Sequence, residues 1–199
     1  MTSVACFALR YAPRMTDEAP GALVRAAAAG DERAWAQLVA RFDGLVWSIA
    51  RSFRLGQADA GDVVQTTWLR LVEHLDRVQQ PDRVGAWLAT TARHECLALL
   101  RRKARQGVAG DEIEELPDQQ AAPDAALLDR ERDAVVWAAL ERISEPCRRL
   151  LRILASDPVP SYQEVGAALD MPIGSIGPTR ARCLDSLRSQ LASDLSGWA

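Results

Sequence analysis

Histidine and lysine are nearly missing from this chain, which holds two histidines and, at Lys103, a single lysine among 199 residues. So little histidine, with no glycine-rich phosphate loop and no nucleophile paired with a base, leaves nothing from which to build catalysis, and the chain is not expected to be an enzyme. No apolar run reaches the about eighteen residues that a membrane-spanning helix needs, so the chain is expected in the cytoplasm. Met1 to Met15 contains a short apolar patch, Val4 to Leu9, without the positively charged start of a secretory signal. It reads as a loose tail, with Met15 an alternative start. The cysteines Cys6, Cys96, Cys147 and Cys183 form no CxxC pair; with no sign of export, all are expected as free thiols. His94 and Cys96, two apart on a predicted helix, face different ways and make a poor metal pair. Neither a metal nor a cofactor is expected. Alternating strand patterns are missing too, which leaves an all-α fold.

What is present is helical periodicity. A first helix covers about Gly21 to Ala29, and Asp31 caps a second that carries Trp35, Leu38, Val39 and Phe42 at helical spacing. Gly44 reads as a place for that helix to bend. The stripe continues through Leu45, Val46, Ile49, Ala50 and Phe53 to Leu55-Gly56, where glycine supplies a stop. Asp59 or Asp62 opens the next helix, with Val63, Val64, Trp68, Leu69 and Val72, ending near Leu75. A polar loop, Asp76 to Asp82, precedes a helix from about Val84 to Lys103 whose core face is Trp87, Leu88, Ala92, Cys96, Leu99 and Leu100. From Gln106 to about Pro123 the chain turns acidic, with prolines and glycines, and can bury little apolar surface. Periodicity resumes with Leu127, Leu128, Val135, Val136, Leu140 and Ile143. Ser144 followed by Pro146 starts a further helix through Leu150, Leu151, Ile153 and Leu154. The expected architecture is two small helical domains joined by a flexible acidic linker: a tail 1–19, a first domain 20–105, the linker 106–125, a second domain 126–192 and a C-terminal tail 193–199.

Residues Ser161 to Arg188 read as a helix, a tight turn and a second helix. Ser161 can cap the first helix through its hydroxyl while Glu164 reaches back to the cap's N–H. The buried face is Val165, Ala168 and Leu169. Asp170-Met171-Pro172-Ile173 breaks the helix, because the residue before proline is pushed out of α geometry and aspartate tolerates a tight reversal. The second helix opens with small residues and then carries Arg180, Arg182 and Arg188. A helix of this kind can enter the major groove N-terminus first, with arginines meeting bases or phosphates. The plainer reading is a helical hairpin with a solvated basic face. The net charge of -3 conceals a segregation that suits nucleic acid. Arg93, Arg101, Arg102, Lys103 and Arg105 crowd one helix end, whereas Asp111, Glu112, Glu114, Glu115, Asp118 and Asp124 follow it.

Three segments in this order resemble the extracytoplasmic-function (ECF) sigma factors of the sigma-70 family, over about Leu23 to Leu191. Asp59 to Leu71, DAGDVVQTTWLRL, resembles the family's DAEDVVQETFLRL helix in region 2; Trp87 to Arg102, WLATTARHECLALLRR, is similar to its WLxxIARNxxxDxLRR stretch. The third segment, the helix-turn-helix, resembles region 4. The resemblance implies a subunit that binds core RNA polymerase, through the clamp helices of the largest subunit and the flap of the second largest, and recognises promoter DNA. It implies polymerase docking by Asp62, Gln65 and Leu69; a solvated face is the plainer alternative for Asp62 and Gln65. It implies opening of the promoter -10 element at the Trp87 helix and the loop before it. Gln79, Gln80 and Asp82 would face the unstacked base, and Arg93, Arg101, Arg102 and Lys103 the phosphates, with Trp87 itself in the core. Arg182 is expected at a -35 base, with Ser175, Thr179 and Arg180 near the backbone. His94 stands where the family usually has Asn and Thr91 where Ile is usual, so contacts there do not carry over. Gly177-Pro178-Thr179 replaces the family's basic-Ser-Arg triplet, and Pro178 is expected in a first helical turn, where its missing N–H costs nothing. An anti-sigma protein is a common partner in the family. Two readings of the acidic linker stay open, a nucleic-acid mimic in the polymerase cleft and a solubilising tether. The alternative function is a stand-alone helix-turn-helix repressor, with Trp35, Trp47, Phe53 and Trp68 lining a ligand pocket.

Overall fold

The computed structural model describes residues 18–106 and 135–196, with side chains to residue 192. Eight of its segments are α-helical: α1 Pro20–Ala28, α2 Glu32–Ser52, α3 Gln57–His74, α4 Val84–Arg105, α5 135–142, α6 Glu145–Leu154, α7 Tyr162–Leu169 and α8 Ile173–Ser196. Among the described residues there is no strand, and no helix is long and apolar enough to cross a membrane. Most of the acidic segment, Leu127, Leu128 and Cys6 lie outside the described residues.

The local rules explain most boundaries. The Asp31 carboxylate accepts from the N–H groups of Arg33 and Ala34 at 2.8 and 3.2 Å, which fixes the start of α2. That helix runs unbroken past Gly44. An ideal Cβ at Gly44 would lie 2.5 Å from the Asp157 carbonyl oxygen; the glycine serves close approach of another segment. The stop after α2 differs from expectation. Arg54, with φ 55°, takes the left-handed conformation, and Gly56 is instead the N-cap of α3. Neither Asp59 nor Asp62 opens α3: Asp59 lies in its first turn, paired with Lys103, and Asp62 lies beyond it. The polar loop 75–83 is two single 3-10 turns, Leu75–Arg77 and Pro81–Arg83.

Helices α1 to α4 enclose Leu38, Val46, Ile49, Leu71, Leu88, Ala92 and Cys96, all fully buried. Helices α5 to α8 enclose Leu150, Ile153, Val165, Ala168, Ile176 and Cys183 in the same way. The two groups form one continuous buried cluster, because α7 packs on α4 and α6 packs on α2. Gly85 of α4 makes this possible: a Cβ there would overlap the Glu164 carboxylate of α7 and the Phe42 ring of α2. Arginines line the same seam. Arg54 pairs with Glu141, which also receives Arg148 at 3.2 Å and Arg152 at 2.9 Å, while the Arg149 guanidinium lies 4.3 Å over the Phe53 ring. Val135 and Val136 are 45% and 39% exposed; among the described residues of that apolar run, only Leu140 and Ile143 are buried.

Candidate nucleic-acid interface

Helix α3 sorts its residues by face. Val63, Val64, Thr67 and Leu71 are buried, and the Thr67 hydroxyl donates to the Val63 carbonyl at 2.7 Å, so its polarity is satisfied inside the core. Asp62, Gln65, Leu69 and Val72 fall on the outward face at helical spacing. Leu69 and Val72 are 53% and 55% exposed, an aliphatic continuation of a polar stripe. Val72 was not among the expected docking residues; its place in line with Asp62, Gln65 and Leu69 is the signal that could have found it. Trp68 is held from behind. Its Nε1 donates to the Asp43 carboxylate at 3.1 Å and its ring meets Trp35 edge-on at 5.8 Å. Burial holds the Asp43 carboxyl above its ordinary value, with the Trp68 hydrogen bond and Arg51 acting in the opposite direction. Trp35, Trp68 and the buried Phe53 are thus engaged in packing, and Trp47 carries the Arg51 guanidinium over its ring.

Between the 75–83 loop and α4 opens a cleft of about 610 Å³. Gln79 and Gln80 line it, joined by His74, Arg77, Arg83, Trp87, Thr90, Thr91 and His94. Trp87 packs on the core and still forms one wall, with the His74 ring centroid 6.4 Å away. Thr90 and Thr91 donate their hydroxyls to the Ala86 and Trp87 carbonyls at 3.0 and 2.9 Å. Sequence reading set His94 and Thr91 aside as departures from a pattern and missed His74. Both histidines of the chain line this one cleft.

The remaining expected contacts divide. Asp82 is turned onto Gly21 of α1, where a Cβ would overlap its carboxylate, so it braces the loop and does not line the cleft. Arg93 donates to the Asp170 carboxylate at 2.8 Å across the seam. Arg101 and Arg102 are exposed near the end of α4, and Lys103 is paired with Asp59.

In the second unit the capping box forms as expected: the Ser161 hydroxyl accepts from the Glu164 N–H at 3.3 Å, and the Glu164 carboxylate accepts from the Ser161 N–H at 2.6 Å. Asp170 adopts φ 59°, and the Met171 N–H donates to the Gly166 carbonyl at 3.0 Å. A Cβ at Gly166 would come within 2.9 Å of the Met171 carbonyl oxygen, so the turn needs glycine there. Helix α8 begins at Ile173, earlier than expected, and Pro178 therefore lies inside it. Its missing N–H removes the helical donor to the Gly174 carbonyl. Gly174 and Gly177 leave open space around this turn. Ser175 commits its hydroxyl to the Pro172 carbonyl at 2.7 Å. Thr179 accepts from Arg182 at 3.2 Å, which steers the guanidinium along the helix surface, and Arg180 is exposed.

The expectation of free thiols fails at two positions. Cys147 and Cys183 form a disulfide joining α6 to α8; Cys96 is a free, buried thiol. No CxxC spacing announces this pair, because the partners meet only through the packing of two helices.

Residues 38–106 match the family model for sigma-70 region 2. The chain is 26% identical over 172 residues to the ECF RNA polymerase sigma-E factor of Salmonella typhimurium, covering 82% of this chain and 87% of that one. It is 27% identical over 177 residues to the ECF RNA polymerase sigma factor SigE of Mycolicibacterium smegmatis, covering 86% and 68%. Among solved structures, CnrH in complex with the cytosolic domain of CnrY superposes with a TM-score of 0.59 at 27% identity, over 89% of this chain and 99% of that one. The sigma factor RpoE of Bartonella quintana, solved with the anti-sigma factor NepR, shares the fold at 24% identity and a TM-score of 0.54, over 75% and 91%. Residues 38–106, over α2 to α4, thus carry sigma-70 region 2, and nearly the whole chain is similar in sequence and in its all-helical fold to extracytoplasmic-function sigma factors.

Proposed function

We propose that this chain is a promoter-specificity subunit, without catalysis of its own, that acts in the cytoplasm on core RNA polymerase. The observation that carries the reading is the outward stripe of α3, Asp62, Gln65, Leu69 and Val72, within the segment that matches sigma-70 region 2. Exposed aliphatic side chains flanked by polar groups suit a protein surface that is covered in a complex. The stripe docks on the clamp helices of the largest polymerase subunit, and the second unit on the flap of the second largest.

The cleft beside α4 takes an unstacked base of the -10 element. Separating a base pair costs a few kcal/mol, and a pocket with polar edges and an aromatic wall, together with phosphate contacts, offsets that cost. Gln79 and Gln80 face the base; Arg93, Arg101, Arg102 and Lys103 hold the displaced strand. Arg182 reads a base of the -35 element, while Ser175, Thr179 and Arg180 lie near its backbone. With Arg93 held by Asp170, the packed form is a closed state, and an anti-sigma protein is a partner suited to keep it so. Support comes from the two solved relatives, one described with an anti-sigma factor and one with the cytosolic domain of CnrY.

The test is co-purification of the tagged protein with core RNA polymerase, followed by transcription from a random promoter library with and without it. Stoichiometric polymerase and new start sites are expected. Asp62→Ala with Gln65→Ala is expected to weaken recruitment while leaving the fold intact, and unchanged recruitment removes the docking assignment. Tight duplex binding with no need for polymerase points instead to a repressor.

A further inference from the structure

Cys147 and Cys183 meet in a disulfide with Cα atoms 5.1 Å apart, although 36 residues separate them in sequence. Cys147 stands in the first turn of α6, and Cys183 near the middle of α8. Along the described part of α8, the fully buried side chains are Ile176 and Cys183, two helical turns apart on one face. Ile176 lies against Gly166 of α7. Helix α8 is therefore fastened at two points, an apolar one to α7 and a covalent one to α6. Leu184 and Leu187 add only half-buried contact. The stretch between the two fastenings holds Thr179, Arg180 and Arg182. With so narrow a buried face, the orientation of this stretch depends on the covalent anchor.

On the reading that the protein serves RNA polymerase, it works where thiols are kept reduced, and disulfides that form there are usually transient or redox-sensing. We propose that Cys147–Cys183 is a reversible thiol–disulfide site that sets the orientation of the recognition helix. Oxidised, α8 is held in its reading position; reduced, it is loosened. The co-reactant is a low-molecular-weight thiol and its disulfide, such as the glutathione couple. Cys147 is half-buried and Cys183 fully buried, so attack falls on the Cys147 sulfur. The incoming thiolate forms a mixed disulfide with Cys147 and expels Cys183 as a thiolate, which takes up a proton. A second thiolate then attacks the sulfur of the first thiol, leaving as the oxidised disulfide and releasing Cys147, which is protonated in turn. Two electrons and two protons pass to the pair, and re-oxidation by the small disulfide reverses each step. Cys96 stays outside this exchange: it is fully buried, and burial pushes its thiol up to about 12.

The test equilibrates full-length protein in graded mixtures of reduced and oxidised glutathione, quenches with acid, alkylates and measures thiol occupancy by mass spectrometry. Cys147 and Cys183 are expected to gain and lose label together, without denaturant. Hydrogen exchange on the same samples is expected to quicken by about tenfold or more over α8 from Thr179 onward in the reduced state, with α1 to α4 unchanged. In library transcription, reduction is expected to weaken base preference at the upstream element and leave the downstream element as it was. Cys147→Ser and Cys183→Ala should each reproduce the reduced exchange pattern and abolish its redox dependence. Should either variant fail to fold, the wild-type redox series decides alone. Equal exchange of α8 in both states, or a pair that yields only after denaturation, overturns the proposal even if promoters are found. An absence of new start sites in both redox states overturns the sigma reading instead, and the exchange data still judge the thiol site.

Discussion

Removing the Glu141 carboxylate should destabilise this protein strongly, because it strands a buried cation. Glu141 accepts from Arg148 at 3.2 Å and from Arg152 at 2.9 Å, and also pairs with Arg54. These contacts are unequal. The Arg54 side chain is 42% exposed, so its share is at most about 1 kcal/mol. The Arg148 side chain is 4% exposed, and its Nε has no hydrogen-bond partner among the described residues. Burial holds the Arg148 guanidinium below its ordinary value; Glu141 opposes that, while neighbouring Arg54 and Arg152 reinforce it. Glu141→Ala leaves a buried cation among other cations, and breaking a buried pair from one side costs about 3–5 kcal/mol. Against a domain stability of about 5–15 kcal/mol, that is a large fraction. Arg148→Met, by contrast, removes the charge along with its partner's need to neutralise it, and should cost about 1–2 kcal/mol through altered packing and a less satisfied Glu141. The double variant should therefore be more stable than Glu141→Ala alone. Urea denaturation followed by circular dichroism and by tryptophan fluorescence measures all three. A loss below about 1 kcal/mol for Glu141→Ala, or no recovery in the double variant, would refute the reasoning that the buried charge dominates.

Three further outcomes follow from the geometry. Asp43→Asn keeps an acceptor for Trp68 Nε1 but no longer buries a charge. Because the folded-state value of Asp43 is raised, its ionised form disfavours the folded state at neutral pH, and that penalty disappears as pH falls toward and below the raised value; the variant should be more stable than the wild type at pH 7, with the gap closing in acid, as followed by denaturation at several pH values. Gly85→Val should force α7 away from α4, raising the radius of gyration in X-ray scattering at unchanged helix content; an unchanged radius means that the Glu164 side chain simply swings aside. Arg182→Ala should lower promoter selectivity at the upstream element by about 1–3 kcal/mol per lost base contact, and an equal loss on every sequence would make it a phosphate contact.

The helices were legible because their signals are local: Asp31 and Ser161 cap where a cap is expected, and Asp170 takes the left-handed turn that aspartate tolerates. The outward stripe of α3 was legible only in part, since periodicity reports that Leu69 and Val72 are apolar but not which way they face. What could not be read depends on contacts distant in sequence. Gly44 and Gly85 look like helix weaknesses until the segments that approach them are in place, at Asp157 and Glu164. Cys147 and Cys183 look like isolated thiols until α8 lies on α6. Pro178 was placed one turn too early because the start of α8 at Ile173 has no side-chain signature stronger than the proline before it.

The seam between the two units has consequences for how it opens. Its exposed ion pair, Arg93 with Asp170 at 21% and 75% side-chain exposure, is worth at most about 1 kcal/mol and is readily exchanged for a phosphate contact. A second pair, Arg54 with Glu141, is salt-sensitive in the same way, whereas the packing contacts of the seam resist salt: the fit of Glu164 over Gly85, the Asp157 carbonyl over Gly44, and Arg149 stacked on Phe53, a contact worth about 0.5–2 kcal/mol. Raised salt should therefore release Arg93 without parting the units. On the proposed function, separation requires a partner that covers comparable surface, as docking of the α3 stripe and of the second unit on polymerase would do. An inhibitor has the easier task, since it needs only to bind the closed form better than the open one, and its differential affinity sets the extent of inhibition.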